Sequence, residues 1–373
     1  MPNSHTRPSS SPSNYHHHSS GHTGISSDAQ NFPVEIFHHI LEHVPRTTLT
    51  SAARANTAFN EVSERLIYRH LELTTIPQAL QCFESLQKKP QAVQSVREFV
   101  IMIRESRNVV ARLGPILSTV LQSLSQLTAL HLAVEGPYLP ALNGCTFPRL
   151  TTFSSIADLS PNPAPLAEFL VRHPSITSLC LGGDTPSNNP DLRNTLLISL
   201  PPTALPALSS YMGSRRLAPA LVPGRPVRRI TLAWHSPNVD FEVGCIVPSL
   251  GRTSAPVLSF SVATPGWSSV LVRAVAACLP ALQSLRLHNI SSDFHNESEL
   301  FTTMTSVLRS FPDLTRLEFP CHRNVRSILD TEAESRTARQ WAGLAPCLQT
   351  VIFPSSRTWQ RNDKGAWEPV PAH

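Results

Sequence analysis

The sequence predicts an α/β fold in two parts, a small helical module followed by an α/β solenoid with a parallel sheet. Three observations predict it. A polar, low-complexity start gives way at residue 31 to an amphipathic helical pattern, a six-residue apolar motif then recurs in ten copies, and several segments between the copies have helical spacing.

Residues 1–27 are mostly Ser, His, Pro, Asn and Gly, without an apolar core. Such a segment buries too little to offset its ordering entropy, which predicts a disordered tail. It also lacks the hydrophobic region of a secretory signal, so the expected location is cytoplasmic or nuclear. The run His16, His17, His18 reads as composition, not as a metal site.

From Asn31 the pattern changes. Pro33 stands where a first helical turn tolerates a missing N–H, and Phe37, Ile40, Leu41 and Val44 fall on one face of the helix that follows. Pro45 ends it. A second short helix, capped by Thr47 or Thr48, carries Leu49, Ala52 and Ala53; a third, capped by Asn56 or Thr57, carries Phe59, Val62 and Leu66. The segment Tyr68 to Leu73 then alternates apolar and polar, as a half-buried strand does.

Beyond it, an apolar residue recurs at the first, fourth and sixth places of a motif. The clear copies begin at Leu127, Ile176, Leu282 and Leu314; weaker ones begin at Val96, Leu150, Val227, Val257 and Leu348, with a degenerate copy at Leu208. Spacings of 26 residues from Leu150 to Ile176 and 32 from Leu282 to Leu314 lie near the leucine-rich-repeat period, stretched and uneven. A short strand cannot bury its apolar face alone, so stacked copies imply a parallel sheet with the intervening segments covering one side. Leu166 to Arg172, Ser268 to Cys278, Leu300 to Ser310 and Glu332 to Leu344 read as helices among those segments. Pro148, Pro174, Pro206, Pro280, Pro312 and Pro346 sit between helix end and strand, where no ladder bond has begun. The resulting domains are a tail at 1–27, a helical module at 28–75, the repeats at 76–355 and a C-terminal tail at 356–373. In that last segment Trp359 and Trp367 either cap the last repeat or trail off.

Composition narrows the function. Charged residues are 15% of the chain, below the roughly 25% of ordinary globular proteins, so the surface leans on Ser, Thr, Asn and Gln. The net charge of +5 is dispersed, its densest run being Arg225, Arg228 and Arg229, whereas nucleic-acid binding needs a concentrated basic stripe. Seven cysteines with no Cys-x-x-Cys pair predict free thiols in a reducing compartment, not disulfides or a metal centre. The apolar stretch Val270 to Leu279 is interrupted by Arg273 and is far too short to span a membrane. No phosphate loop, nucleophile elbow, zinc-protease motif or dinucleotide fingerprint occurs, so the chain is expected not to be an enzyme and to use no cofactor and no metal.

The segment Asn31-Phe-Pro-Val-Glu-Ile-Phe-His-His-Ile-Leu-Glu-His-Val-Pro45, followed by Leu49, Ala52, Ala53, Arg54, Phe59 and Asn60, resembles the F-box-like domain common in fungal proteins. Phe32 stands where that family has Leu, and Phe59 where Trp is common. The resemblance, coupled to the repeats, implies an F-box-like three-helix module followed by an irregular leucine-rich-repeat-type α/β solenoid with a parallel sheet. It further implies docking on the Skp adaptor of a cullin-RING ubiquitin ligase, with the repeats selecting a target protein. Pro33, Val34, Glu35, Ile36, Ile40, Leu41, Val44 and Leu49 are the candidate adaptor contacts, Val34, Glu35 and Ile36 lying off the Phe37 to Val44 face. Because side chains alternate along a strand, the intervening motif positions His131, Cys180, Thr231, Arg286 and Glu318 are the candidate target contacts. The alternative function is an interaction scaffold whose helical module has lost adaptor binding and only caps the solenoid.

Overall fold

The computed structural model describes residues 33–55, 57–103, 107–134, 138–156, 163–182, 198–235, 238–291, 296–321 and 329–370, with backbone only at 107–112. The expected tail at 1–27 lies outside the described residues. The chain divides into two units, Met1–Ser63 and Glu64–His373. That boundary falls earlier than the expected 75, because the strand at His70 pairs with the sheet that follows it.

In the first unit α1 (Val34–Glu42) begins directly after Pro33, and α2 (Arg46–Ala52) directly after Pro45. Both prolines are extended and neither helix has a side-chain cap, so the expected Thr47 or Thr48 cap is replaced by proline's fixed φ. Leu41, Leu49 and Val62 are buried, and Phe37 meets Phe59 edge-on at 4.9 Å between centroids. The third helix, α3 (Thr57–Arg69), runs on into the second unit.

Among its described residues the second unit holds one sheet of thirteen strands in sequence order. They are β1 (His70–Leu73), β2 (Glu98–Ile103), β3 (Ala129–Val134), β4 (Thr152–Ser155), β5 (Ser178–Leu181), β6 (Ser210–Ser214), β7 (Arg229–Ala233), β8 (Ser259–Thr264), β9 (Ser284–Asn289), β10 (Arg316–Glu318), β11 (Thr350–Ile352), β12 (Thr358–Arg361) and β13 (Trp367–Val370). The ten motif copies become β2 to β11, all parallel. The pairing is in register with the motif: Leu71, Phe99, Leu130, Phe153, Leu179, Tyr211, Ile230, Phe260, Leu285, Leu317 and Val351 form a single buried row.

The prolines take a more definite role than separating helix from strand. Each of Pro148, Pro174, Pro206, Pro312 and Pro346 is the second residue of a turn closed by a backbone bond, such as Leu150 N–H to Phe147 O at 3.1 Å and Leu348 N–H to Ala345 O at 3.0 Å. Proline's fixed φ suits that position. The motif's second residue ties neighbouring turns together: Thr128, Thr151, Thr177, Ser209 and Thr315 each donate a hydroxyl hydrogen bond, at 2.9–3.2 Å, to a backbone carbonyl of the preceding repeat. The degenerate copy at Leu208 has Gly213 where its neighbours have Leu181 and Leu232. Its φ is +151°, and a Cβ there would come within 2.1 Å of Leu181 O, so only glycine fits.

The crossovers hold α4 (Ile76–Lys88), α5 (Pro90–Ser95), α6 (Arg107–Ser123), α7 (Ala164–Arg172), α8 (Ala218–Leu221), α9 (Val239–Leu250), α10 (Ser269–Cys278), α11 (Glu297–Val307) and α12 (Thr331–Leu344). Their buried residues join those of the strands in one core, leaving the opposite sheet face uncovered by the described helices of this unit. The expected C-terminal tail is corrected: β12 and β13 form an antiparallel hairpin that extends the sheet. Its Trp359 and Trp367 are buried, and Glu334 of α12, fully buried, accepts from Trp359 Nε1 at 3.0 Å and Ser355 Oγ at 2.6 Å. Burial of two indoles and a bonded carboxylate gives these residues a fixed place that a tail lacks.

Candidate interaction surfaces

In the first unit, the eight candidate adaptor residues separate into two sets. Val34, Ile36 and Ile40 are 46, 43 and 56% exposed, and Pro33 and Glu35 are exposed beside them. Leu41 and Leu49 are buried and Val44 is half-buried, so these belong to the packing of the helices and not to a free surface. The helical stripe expected to face inward therefore loses Ile40. Residues 36 and 40 lie one turn apart, so their side chains form a continuous apolar strip on one helix face.

In the second unit, all five candidate target residues fall into one row. Strand register aligns Glu72, Val100, His131, Ser154, Cys180, Met212, Thr231, Ser261, Arg286, Glu318, Ile352 and Thr358 across the sheet face away from the helices. His131, Cys180 and Thr231 are half-buried and Arg286 exposed. Glu318 is not an open contact as expected: its side chain is 11% exposed, bonded by Arg316 Nε and approached by Arg286 Nε at 3.6 Å. The flanking arginines cover it.

Val100, Ser154, Met212 and Ser261 share this row and were missed, although the fifth place of the weaker copies marks them by the same arithmetic. Met212 is 48% exposed at the middle of the sheet. Two rungs back along the strands runs a second row, His70, Glu98, Ala129, Thr152, Ser178, Ser210, Arg229, Ser259, Ser284, Arg316 and Thr350. At one end of the face His70 Nδ1 lies 2.9 Å from a Glu98 oxygen, and His131 Nε2 lies 3.8 Å from the other. These partners come from three strands and carry no local sequence signal. Burial raises the pKa of the Cys180 thiol, only partly opposed by the Ser154 hydroxyl, which favours the neutral thiol.

Among the described residues no group of three His, Cys, Asp or Glu is arranged to hold a metal ion, and no helix is long and apolar enough to cross a membrane. A cleft of about 320 Å³ on the helical side is lined by Leu86, Val93 and Val120 with Thr119 and Ser123. Both hydroxyls are committed to carbonyls of their own helix, Thr119 to Pro115 O and Ser123 to Val120 O.

No protein-family model matches the chain, and no curated protein matches it. Among solved structures the chain is similar to the crystal structure of the Rad7 and Elc1 complex in yeast, at 13% identity over 85% of this chain and 86% of that one, with a TM-score of 0.37. At that score the fold assignment rests on the strand order and register themselves: an α/β solenoid of the leucine-rich-repeat type.

Proposed function

We propose that the chain is a target-recognising adaptor of a cullin-RING ubiquitin ligase. In this reading α1 and its neighbours dock on a Skp-type adaptor, and the open sheet face receives the target protein, in the cytoplasm or nucleus. No catalytic step, metal or cofactor belongs to the reading. The observation that carries it is the exposed strip of Ile36 and Ile40, with Val34 also exposed in the first turn, on a helix whose Leu41 is already buried. The partner's identity comes from the F-box-like resemblance of residues 31–60. Full burial of one such aliphatic side chain contributes roughly 1.5–3 kcal/mol. An aspartate in its place loses that and adds a charge that must be desolvated.

Isothermal titration of the chain with purified Skp adaptor tests this, beside an Ile36→Asp, Ile40→Asp variant whose fold is checked by circular dichroism. Binding by the parent and none by the folded variant is the expected result. A well-folded parent that does not bind overturns the ligase reading and leaves the scaffold capped by its helical module.

A further inference from the structure

Two of the crossover helices turn polar faces to solvent. The exposed positions of α11 are Ser298, Glu299, Thr302 and Ser306, and those of α12 include Glu332, Arg336, Arg339 and Gln340. Helix α9 differs. Its Val239, Val243, Ile246, Val247 and Leu250 are buried, yet the opposite face carries Phe241, Gly244, Cys245 and Pro248, all exposed and none charged. These stand at i, i+3, i+4 and i+7, so they form one continuous strip. A helix apolar around its whole circumference is one that is covered on both sides. Phe241, at 86%, is the most exposed large apolar side chain among the described residues.

Helix α10 widens the strip. The hydroxyl of Ser268, its N-cap, bonds to Asp240, which sets the first turns of the two helices side by side. Val270, 40% exposed, adds to the Phe241 end and the exposed Ala277 to the other. The one charged residue of α10, Arg273, reaches Thr303 of α11 at 3.4 Å.

The strip is complementary to itself. Nothing lies within 4 Å of where a Cβ would stand on Gly244, so a recess sits one turn from the projecting Phe241. Asp240 is exposed at the N-terminal end, and Arg252 is exposed just past the C-terminal end, its guanidinium without a partner among the described residues. Two copies of α9 laid antiparallel set Phe241 of each over the stretch from Gly244 to Pro248 of the other, and Asp240 of each toward Arg252 of the other. Both pairings share nearly one centre: the midpoint of positions 241 and 248 falls between 244 and 245, and that of 240 and 252 at 246.

We propose that the outer face of α9 and α10 is a self-association surface, joining two copies of this chain about a twofold axis near Cys245. A twofold contact must be self-complementary, and the projecting ring, the recess and the opposed end charges of one helix meet that condition. A different partner would not require the two ends of the strip to match each other. The area is modest, with one aromatic anchor of about 150–250 Å² on each copy. That falls short of the roughly 800 Å² per partner of a stable complex, so the dimer is a weak one, with a dissociation constant on the order of 10–100 µM. Because the face lies on the helical side of the sheet, the open sheet face stays uncovered in the pair.

Sedimentation equilibrium of the full chain from about 2 to about 200 µM tests this. The parent is expected to pass from monomer to dimer over that range, and Phe241→Asp to weaken the dimer about tenfold or more. Arg252→Asp alone places two carboxylates together at each end and weakens it as well. Adding Asp240→Arg to that variant restores the dimer, since both pairs re-form with their signs exchanged. Circular dichroism establishes that each variant folds, and a short bis-maleimide is expected to couple two parent chains, a product lost in Cys245→Ser and kept in Cys347→Ser. A parent that stays monomeric throughout overturns the proposal and leaves the strip to a different protein. A dimer that a folded Phe241→Asp leaves unchanged, or a folded charge exchange that does not restore it, overturns it equally.

Discussion

His173 shows how far one side chain is determined by its surroundings. Its Nε2 accepts the Phe147 N–H at 2.9 Å, so the proton sits on Nδ1, which donates to Phe169 O at 2.7 Å. The ring lies against Phe147 and Phe169. Burial pushes its pKa below the ordinary 6.5, opposed by the bond to Phe169 and aided by Arg172. The folded state thus favours the neutral ring, and this contribution is fully present above the unfolded pKa and lost as pH falls through the lowered folded value. The melting temperature should fall as pH is taken from about 7.5 to about 5, and His173→Gln should flatten that dependence. An unchanged pH profile in the variant would contradict it. Burial at single positions was the least legible property in the sequence. Helical period correctly grouped Phe37 and Leu41 but also drew in Ile40, because period gives direction and not which neighbour arrives. Glu318 alternates outward as expected and is buried all the same, by arginines on its own and the adjacent strand.

At the scale of elements, the strands were legible because their signal is local. An apolar residue followed by another three places on marks each of β2 to β11, and a third apolar residue two places further is present in all but β4 and β6, which have Ser155 and Gly213 there. Helices were less so: α7, α10, α11 and α12 follow the apolar spacing closely, while α4, α6 and α9 were unread. Pro115 lies within α6 and Pro248 within α9, and an interior proline argues against a helix when the chain is read alone. For α4 a usable signal existed, Thr75 accepting the Gln78 N–H at 3.4 Å ahead of Pro77. The hydroxyl ladder was also present in the sequence as a Thr or Ser at the motif's second place. Each of its bonds reaches the previous repeat, so Thr177→Val, nearly isosteric, should cost about 1 kcal/mol in a denaturation experiment. The same change at Thr50, whose hydroxyl bonds only its own helix at Arg46 O, serves as the comparison. Equal, negligible effects at both would show that the ladder contributes nothing between repeats.

For the whole molecule, consecutive strands are always neighbours, so the array grows by adding each repeat to the one before. That order follows from the motif alone. The closing hairpin does not: β12 and β13 reverse direction, follow no motif, and are held by Glu334 and two buried indoles from outside the repeat pattern. Neither surface was visible as a surface in the sequence, since the sheet rows assemble from strands about 28 residues apart on average and the α1 strip is defined by what stays uncovered. The central claim is that the open face of α1 binds a Skp-type adaptor while the sheet remains free for a target. Amide hydrogen exchange of the full chain, with and without the adaptor, tests it most directly. Slower exchange confined to residues 34–52, with β7 to β10 unchanged, is the predicted result; unchanged exchange in α1, or protection found only in the sheet, would contradict it.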